Sequence, residues 1–137
     1  MRLSDLRIDP VKRQDGDWVE LENLNGKIKV RGARNYDWLK VIDAETVRIR
    51  KRDEVRGALD HKQQREVKVE CILQAGLIDW GGRLFTDDEG KPIPYSPDKA
   101  AEIYKDPAFE VLVDITAQAC ETMAYVSQED EAKAEKN

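Results

Sequence analysis

Long apolar runs are missing from this chain of 137 residues. None approaches the ~20 residues that a membrane-spanning helix needs, and the opening MRLSDLRIDPVK has no apolar stretch of the secretory-signal kind. Cysteine occurs twice and histidine once. Cys71 and Cys120 lie far apart and lack metal-ligand spacing, so the expectation is two free thiols in a reducing, cytoplasmic compartment. His61, in LDHKQQ, has too few neighbouring ligands for zinc and reads as an exposed first-turn residue. Glycine loops of the P-loop or dinucleotide type are also missing. These absences leave no catalytic residue, cofactor or metal to nominate, and the expectation is a protein that is not an enzyme.

Charge, by contrast, is abundant and uneven. Asp, Glu, Lys and Arg make up 37% of residues, against 40% hydrophobic, which suits a folded, charge-covered chain. Residues 1–68 hold 17 Lys and Arg against 13 Asp and Glu; residues 69–137 hold 6 against 15. The basic excess peaks in RIRKRDEVRGALDHKQQR, with Arg48, Arg50, Lys51, Arg52, Arg56, Lys62 and Arg65. That segment could track nucleic acid or meet acidic protein. No aromatic residue lies between Arg48 and Arg65 to stack on a base, and the chain is acidic overall, which weighs against nucleic acid. A two-signed molecule is also suited to self-association head to tail.

The length predicts one domain over residues 1–126. Within it a hairpin is expected over about 17–32 and helices over about 35–126, with a flexible charged tail at 127–137. Asn25-Gly26 predicts a two-residue type I′ turn. That turn would place Leu21 opposite Val30, Glu22 opposite Lys29 and Glu20 opposite Arg31, with charges on one face and apolar side chains on the other. Asn35 caps a helix expected to reach about Val55, its apolar side formed by Leu39, Ile42, Ala44, Val47, Ile49 and Val55, with Gly57 ending or interrupting it. Asp60 caps a second helix expected to run through Val67, Cys71, Ile72, Ala75 and Ile78 to Trp80, stopped by Gly81-Gly82. Ser96-Pro97 and Asp106-Pro107 each place a capping side chain before a proline that fits the first helical position. The last helix shows a core stripe of Phe109, Leu112, Val113, Thr116, Ala119, Cys120 and Met123. The fold class is therefore α+β, mostly helical, with about four helices and an N-terminal β-hairpin.

Two stretches imitate chemistry. TDDEGKPIPYS resembles a calcium loop, but setting Gly90 at the loop's sixth position puts Phe85 first and Ser96 twelfth, which removes two essential ligands. The acids and glycine there predict a turn. Ser96-Pro-Asp-Lys99 matches a serine-hydrolase motif without its companion motifs, and a helix cap explains it. Trp80, Phe85, Ile93 and Tyr95 cluster around this proline-rich loop. Large aromatics on a loop either pin it to the core or face a partner, and a pinned loop can still shape a groove. These four are the candidate partner-binding residues.

The segment LIDWGGRLFTDDEGKPIPYSPDKAAEIYKDPAFEVLVDITAQA resembles the tail assembly chaperones of long-tailed bacteriophages and prophages. The resemblance lies in Trp80, the Asp88-to-Pro94 turn, Tyr95, Ser96-Pro97, the short helix to Lys105, Asp106-Pro107 and the helix from Phe109, over about residues 77–119. It implies a non-enzymatic factor in the bacterial host cytoplasm. Such a factor binds tape-measure protein and tail-tube protein during assembly and leaves the finished particle. The resemblance also implies a longer frameshifted form. The alternative is a nucleic-acid-binding or regulatory phage protein using the basic 48–68 segment.

Overall fold

The computed structural model describes residues 1–125; the tail expected at 127–137 lies outside the described residues. Asp9 accepts hydrogen bonds from the Val11 and Lys12 amides and starts α1 (Pro10–Asp15). The hairpin follows as β1 (Asp17–Leu21) and β2 (Gly26–Val30). Two helices come next, α2 (Tyr36–Asp53) and α3 (His61–Ala75), then β3 (Leu77–Trp80), α4 (Pro97–Tyr104) and α5 (Glu110–Met123). The three strands form one antiparallel sheet in the order β1-β2-β3. The chain is thus α+β and mostly helical, as the periodicity indicates.

Four caps act where the sequence places them. Asn35 accepts from the Trp38 amide, Asp60 from Gln63, Ser96 from Lys99 and Asp106 from Ala108. Asp60 and Gln63 complete a reciprocal capping box, each side chain bonding the other's backbone amide. Each such cap contributes about 1 kcal/mol by satisfying amides that have no helical partner. The Asp106 cap opens a 3-10 turn over Pro107–Phe109, and α5 itself begins at Glu110.

The hairpin register differs from expectation. The strands pair as Val19 with Ile28, Glu20 with Lys27 and Leu21 with Gly26, a shift of four residues. A 3-10 turn over Glu22–Leu24 replaces the type I′ turn, and only Asn25 of the Asn-Gly pair adopts positive φ. Gly26 instead gives room to Leu84: a Cβ there would stand 2.5 Å from Leu84 Cδ1 and 3.3 Å from its Cα, so the Leu84 side chain would have to move. Because four is even, every side chain keeps its face. Ile28 and Val30 are fully buried, while Lys27 lies over the Trp18 ring on the outer face.

Two helices also depart from expectation. In α2 the buried residues are Trp38, Val41 and Ile49; Leu39, Ala44 and Val47 are exposed. The inward face is phased by Trp38, whose area outweighs that of the smaller residues on the other stripe. Glu54 in the left-handed conformation ends α2, so Gly57 sits beyond the stop with nothing near it. The second helix stops at Ala75, and Leu77–Trp80 forms β3 instead of a last helical turn. Gly76 makes the break. Its carbonyl accepts from the Arg31 amide at 2.8 Å, which draws the chain alongside β2. Phe109, expected on the buried stripe of α5, is 46% exposed because it falls in the preceding 3-10 turn.

Helices α2 and α3 run antiparallel: Asn35 meets Ala75 at one end and Asp53 meets Gln63 at the other. Helix α5 crosses β1 and β2 and also touches α3 and α4. One apolar cluster runs from Leu21 to Met123 through all of these elements except α1. Both thiols lie in it, and burial pushes each up to about 12.

Gly76→Ala should destabilise the fold. The new Cβ would stand 2.9 Å from the Trp38 ring, 3.1 Å from the Ile72 Cα and 3.2 Å from Cys120 Sγ. Overpacking of this kind costs about 1–3 kcal/mol, readable as a lower urea midpoint. Gly57→Ala, in open space, should change stability by less than about 0.5 kcal/mol. Equal midpoints for the two variants would contradict this account of Gly76.

Candidate functional site

The four aromatic-loop residues meet. Phe85 and Tyr95 each stand edge-on to Trp80, with ring centroids 5.0 Å away and interplanar angles of 82° and 87°. The Trp80 indole N–H donates to the Ile93 carbonyl at 2.8 Å, and the Ile93 amide donates to the Phe85 carbonyl at 2.8 Å. Trp80 is 3% exposed; the other three are half-buried and pack on the core. Edge-to-face rings at this spacing add about 0.5–1.5 kcal/mol per pair beyond area burial. The loop is therefore pinned, and its outer surface has a fixed shape. Burial, and secondarily the charge of Asp79, raises the Tyr95 hydroxyl above its ordinary value.

The motifs that imitate chemistry act on backbone here. Asp87 accepts from the Glu89 and Lys91 amides, both at 2.9 Å, and Gly90 takes the positive φ that closes the turn. Ser96 Oγ accepts from the Lys99 amide, while the Lys99 ammonium pairs with Glu102 at 3.3 Å.

A second feature was not visible in the sequence. A groove of about 480 Å³ opens between α3 and the α4–α5 corner. Val69, Tyr104, Pro107 and Val113 supply its apolar lining. The Tyr104 hydroxyl is tied to Thr116 at 2.8 Å, and Thr116 in turn donates to the Leu112 carbonyl, so the corner is held from inside. Burial pushes the Tyr104 hydroxyl up to about 12. The groove joins residues some forty positions apart, and only the α3–α4–α5 packing brings them together.

Arginines ring one wall. Arg48 bonds Glu45 at 2.7 Å and Glu66 at 2.8 Å. Arg52 bonds Asp53 and Glu66, each at 2.8 Å. Arg65 reaches Glu110 and Asp114 at 3.3 Å, tying α3 to α5. The basic segment is thereby divided in two. Arg48, Arg52 and Arg65 are engaged, whereas Arg50, Lys51, Arg56 and Lys62 are exposed and form no ion pair with a described residue.

These pairs hold carboxylates ionised. Asp53 lies well below its ordinary 3.8, chiefly through its bonds to Arg52 and then Gln63. Glu66 lies below its ordinary 4.5, first through Arg52, with Arg48 adding to it against the opposing effect of burial. A carboxylate with a depressed folded pKa contributes stability above its unfolded pKa and loses it as pH falls through the folded value. Stability should therefore decline as pH drops below about 4.5 and continue to decline past 3.8. The pairs are solvent-exposed, so the effect should be modest and should shrink in 0.5 M salt. Urea titrations at pH 5, 4 and 3 test this; Glu66→Gln should flatten the upper part of the decline, and an unchanged profile would contradict the assignment.

Among the described residues no helix is long and apolar enough to cross a membrane. No curated protein and no solved structure matches the chain. A family model described as YdaY prophage protein matches residues 33–137. That span takes in α2 to α5, the pinned loop and the groove. The chain belongs to the YdaY prophage protein family.

Proposed function

We propose that this prophage protein is a tail assembly chaperone, a non-enzymatic factor that transiently binds tape-measure protein, and tail-tube protein with it, in the host cytoplasm. The observation that carries the reading is how residues 80–107 are spent. Trp80, Phe85 and Tyr95 pin the loop, Asp87 and Gly90 turn it, and Ser96 and Asp106 cap α4 and the 3-10 turn that leads into α5. Of these, Trp80, Gly90, Tyr95, Ser96 and Asp106 are also residues on which the resemblance to tail assembly chaperones rests. Each shapes backbone, and together they frame a rigid surface of the kind a binding factor presents. The prophage family is consistent with this role.

The four cations at the α2–α3 turn that form no ion pair with a described residue favour a second reading, a nucleic-acid-binding phage protein. It would show as duplex binding that weakens with salt, with a log–log slope of about −3 to −4 if all four cations meet phosphate.

Co-expression with the tape-measure protein of the same prophage separates the two. The chaperone reading expects co-purification and a several-fold larger soluble client fraction. A client that stays insoluble and unbound would overturn it.

A further inference from the structure

Helix α2 keeps one face clear of the rest of the fold. Its inward side is set by Trp38, Val41 and Ile49. On the opposite side stand Tyr36, Lys40, Asp43 and Val47. At 3.6 residues per turn these four fall within about 60° of one another and form a strip roughly 17 Å long. Tyr36 is 75% exposed and Val47 66%, and Lys40 and Asp43 between them are exposed too. Neither Lys40 nor Asp43 forms an ion pair with a described residue. The steps of four, three and four residues are those of a coiled-coil seam. Read along the helix, the order is apolar, cation, anion, apolar. Laid against its own reverse, that order sets apolar on apolar and each charge on its opposite.

We infer that this face of α2 docks on the same face of a second copy of the chain, the two helices antiparallel about a two-fold axis that passes between residues 41 and 42. Tyr36 of each copy then meets Val47 of the other, and Lys40 of each meets Asp43 of the other. A two-fold contact must be its own complement, residue i meeting j where j meets i. The strip satisfies this at all four positions. A parallel pairing would instead set Lys40 against Lys40 and Asp43 against Asp43, while the antiparallel one also opposes the helix macrodipoles. Cations bound the strip, Arg34 before Tyr36 and Arg50 after Val47. Across the axis Arg50 of one copy approaches Arg34 of the other, which confines the contact to the turns between them. So short a strip falls below the ~800 Å² per partner of a standard interface, and the dimer is weak, with a Kd on the order of 100 μM. The strip shares no residue with the pinned loop or the groove, so the inference is independent of the chaperone reading.

Sedimentation equilibrium of the full chain, over about 10 to 500 μM, tests this. The average mass should rise with concentration above the 15.7 kDa of one copy. Val47→Glu should weaken self-association about tenfold or more. Lys40→Glu and Asp43→Lys should each weaken it about tenfold, because each creates two like-charge contacts across the axis. Mixed in equal amounts, those two variants should associate at least as tightly as the parent, since one copy then presents two acids and the other two bases. All three substitutions lie at exposed positions, so the circular dichroism spectrum should match the parent's. Lys62→Glu, a charge reversal off this face, should leave the equilibrium unchanged. A parent that stays monomeric over the whole range would overturn the inference. So would a dimer indifferent to Val47→Glu, a mixture that associates no more tightly than its separate components, or equal weakening by Lys62→Glu.

Discussion

Asn35 is the joint on which the architecture turns. Asn35 is 2% exposed, and both ends of its side-chain amide are engaged. Nδ2 donates to the Gly32 carbonyl at 2.9 Å and to the Ala75 carbonyl at 2.8 Å, while Oδ1 accepts from the Trp38 amide at 2.9 Å. One amide thus fastens the exit of the hairpin, the start of α2 and the end of α3. A buried polar group persists only when its partners are all present. Losing any one of them would leave another unpaired, so the three elements stand or fall together. Neighbouring backbone bonds reinforce the joint: Arg31 to Gly76, and Ala33 to Cys120 on α5.

This joint sets geometry at a distance. Helix α2 has 18 residues, so its far end lies roughly 27 Å from Asn35 at 1.5 Å per residue. With α2 and α3 fastened near Asn35, their opposite ends are free to diverge or close. The Arg48, Arg52, Glu66 and Asp53 network closes them. Each exposed pair contributes little alone, but together they fasten the far ends of α2 and α3 to each other. The groove is built at that clamped end, on the side where α4 and α5 turn their corner. The arginines that line it are thus held by the same bonds that keep the helix pair shut.

What the sequence disclosed was local. Asn35, Asp60, Ser96 and Asp106 announced their caps because a cap is written within four residues of itself. Asp9-Pro10 carries the same signal and marks α1, a helix that the expected fold lacks. The α5 stripe was legible because its apolar residues repeat without competition. Failures came where a distant residue decides. Leu77–Trp80 continues an apolar pattern that a helix or a strand could use, and only the approach of β2 selects the strand. The hairpin register was misjudged because Asn25-Gly26 met the local rule for a tight turn, whereas Gly26 answers to Leu84, fifty-eight positions away. Trp80, Phe85, Ile93 and Tyr95 were recognisable as a cluster, being close in sequence. The groove was not, since Val69 and Val113 share no local pattern.

The family match begins at residue 33, two positions before the joint. The matched part does not enclose its own core. Trp80 stands opposite Ile28 and Leu77 opposite Val30, and both β2 residues are fully buried. Without β2 the inner edge of β3 would lose its hydrogen-bond partners, and Trp80 would lose the surface behind it. The pinned loop depends on Trp80 in turn, through the two ring contacts and the bond to Ile93. Gly81 and Leu84 also lean on the hairpin, one through a 2.8 Å bond to the Lys27 carbonyl and the other against Gly26. The hairpin, outside the matched stretch, is therefore what gives the matched loop its shape. A segment cut at residue 33 would keep the Asp60, Ser96 and Asp106 caps in its sequence, but it would lose the Gly32 partner of Asn35 and leave the aromatic surface without support.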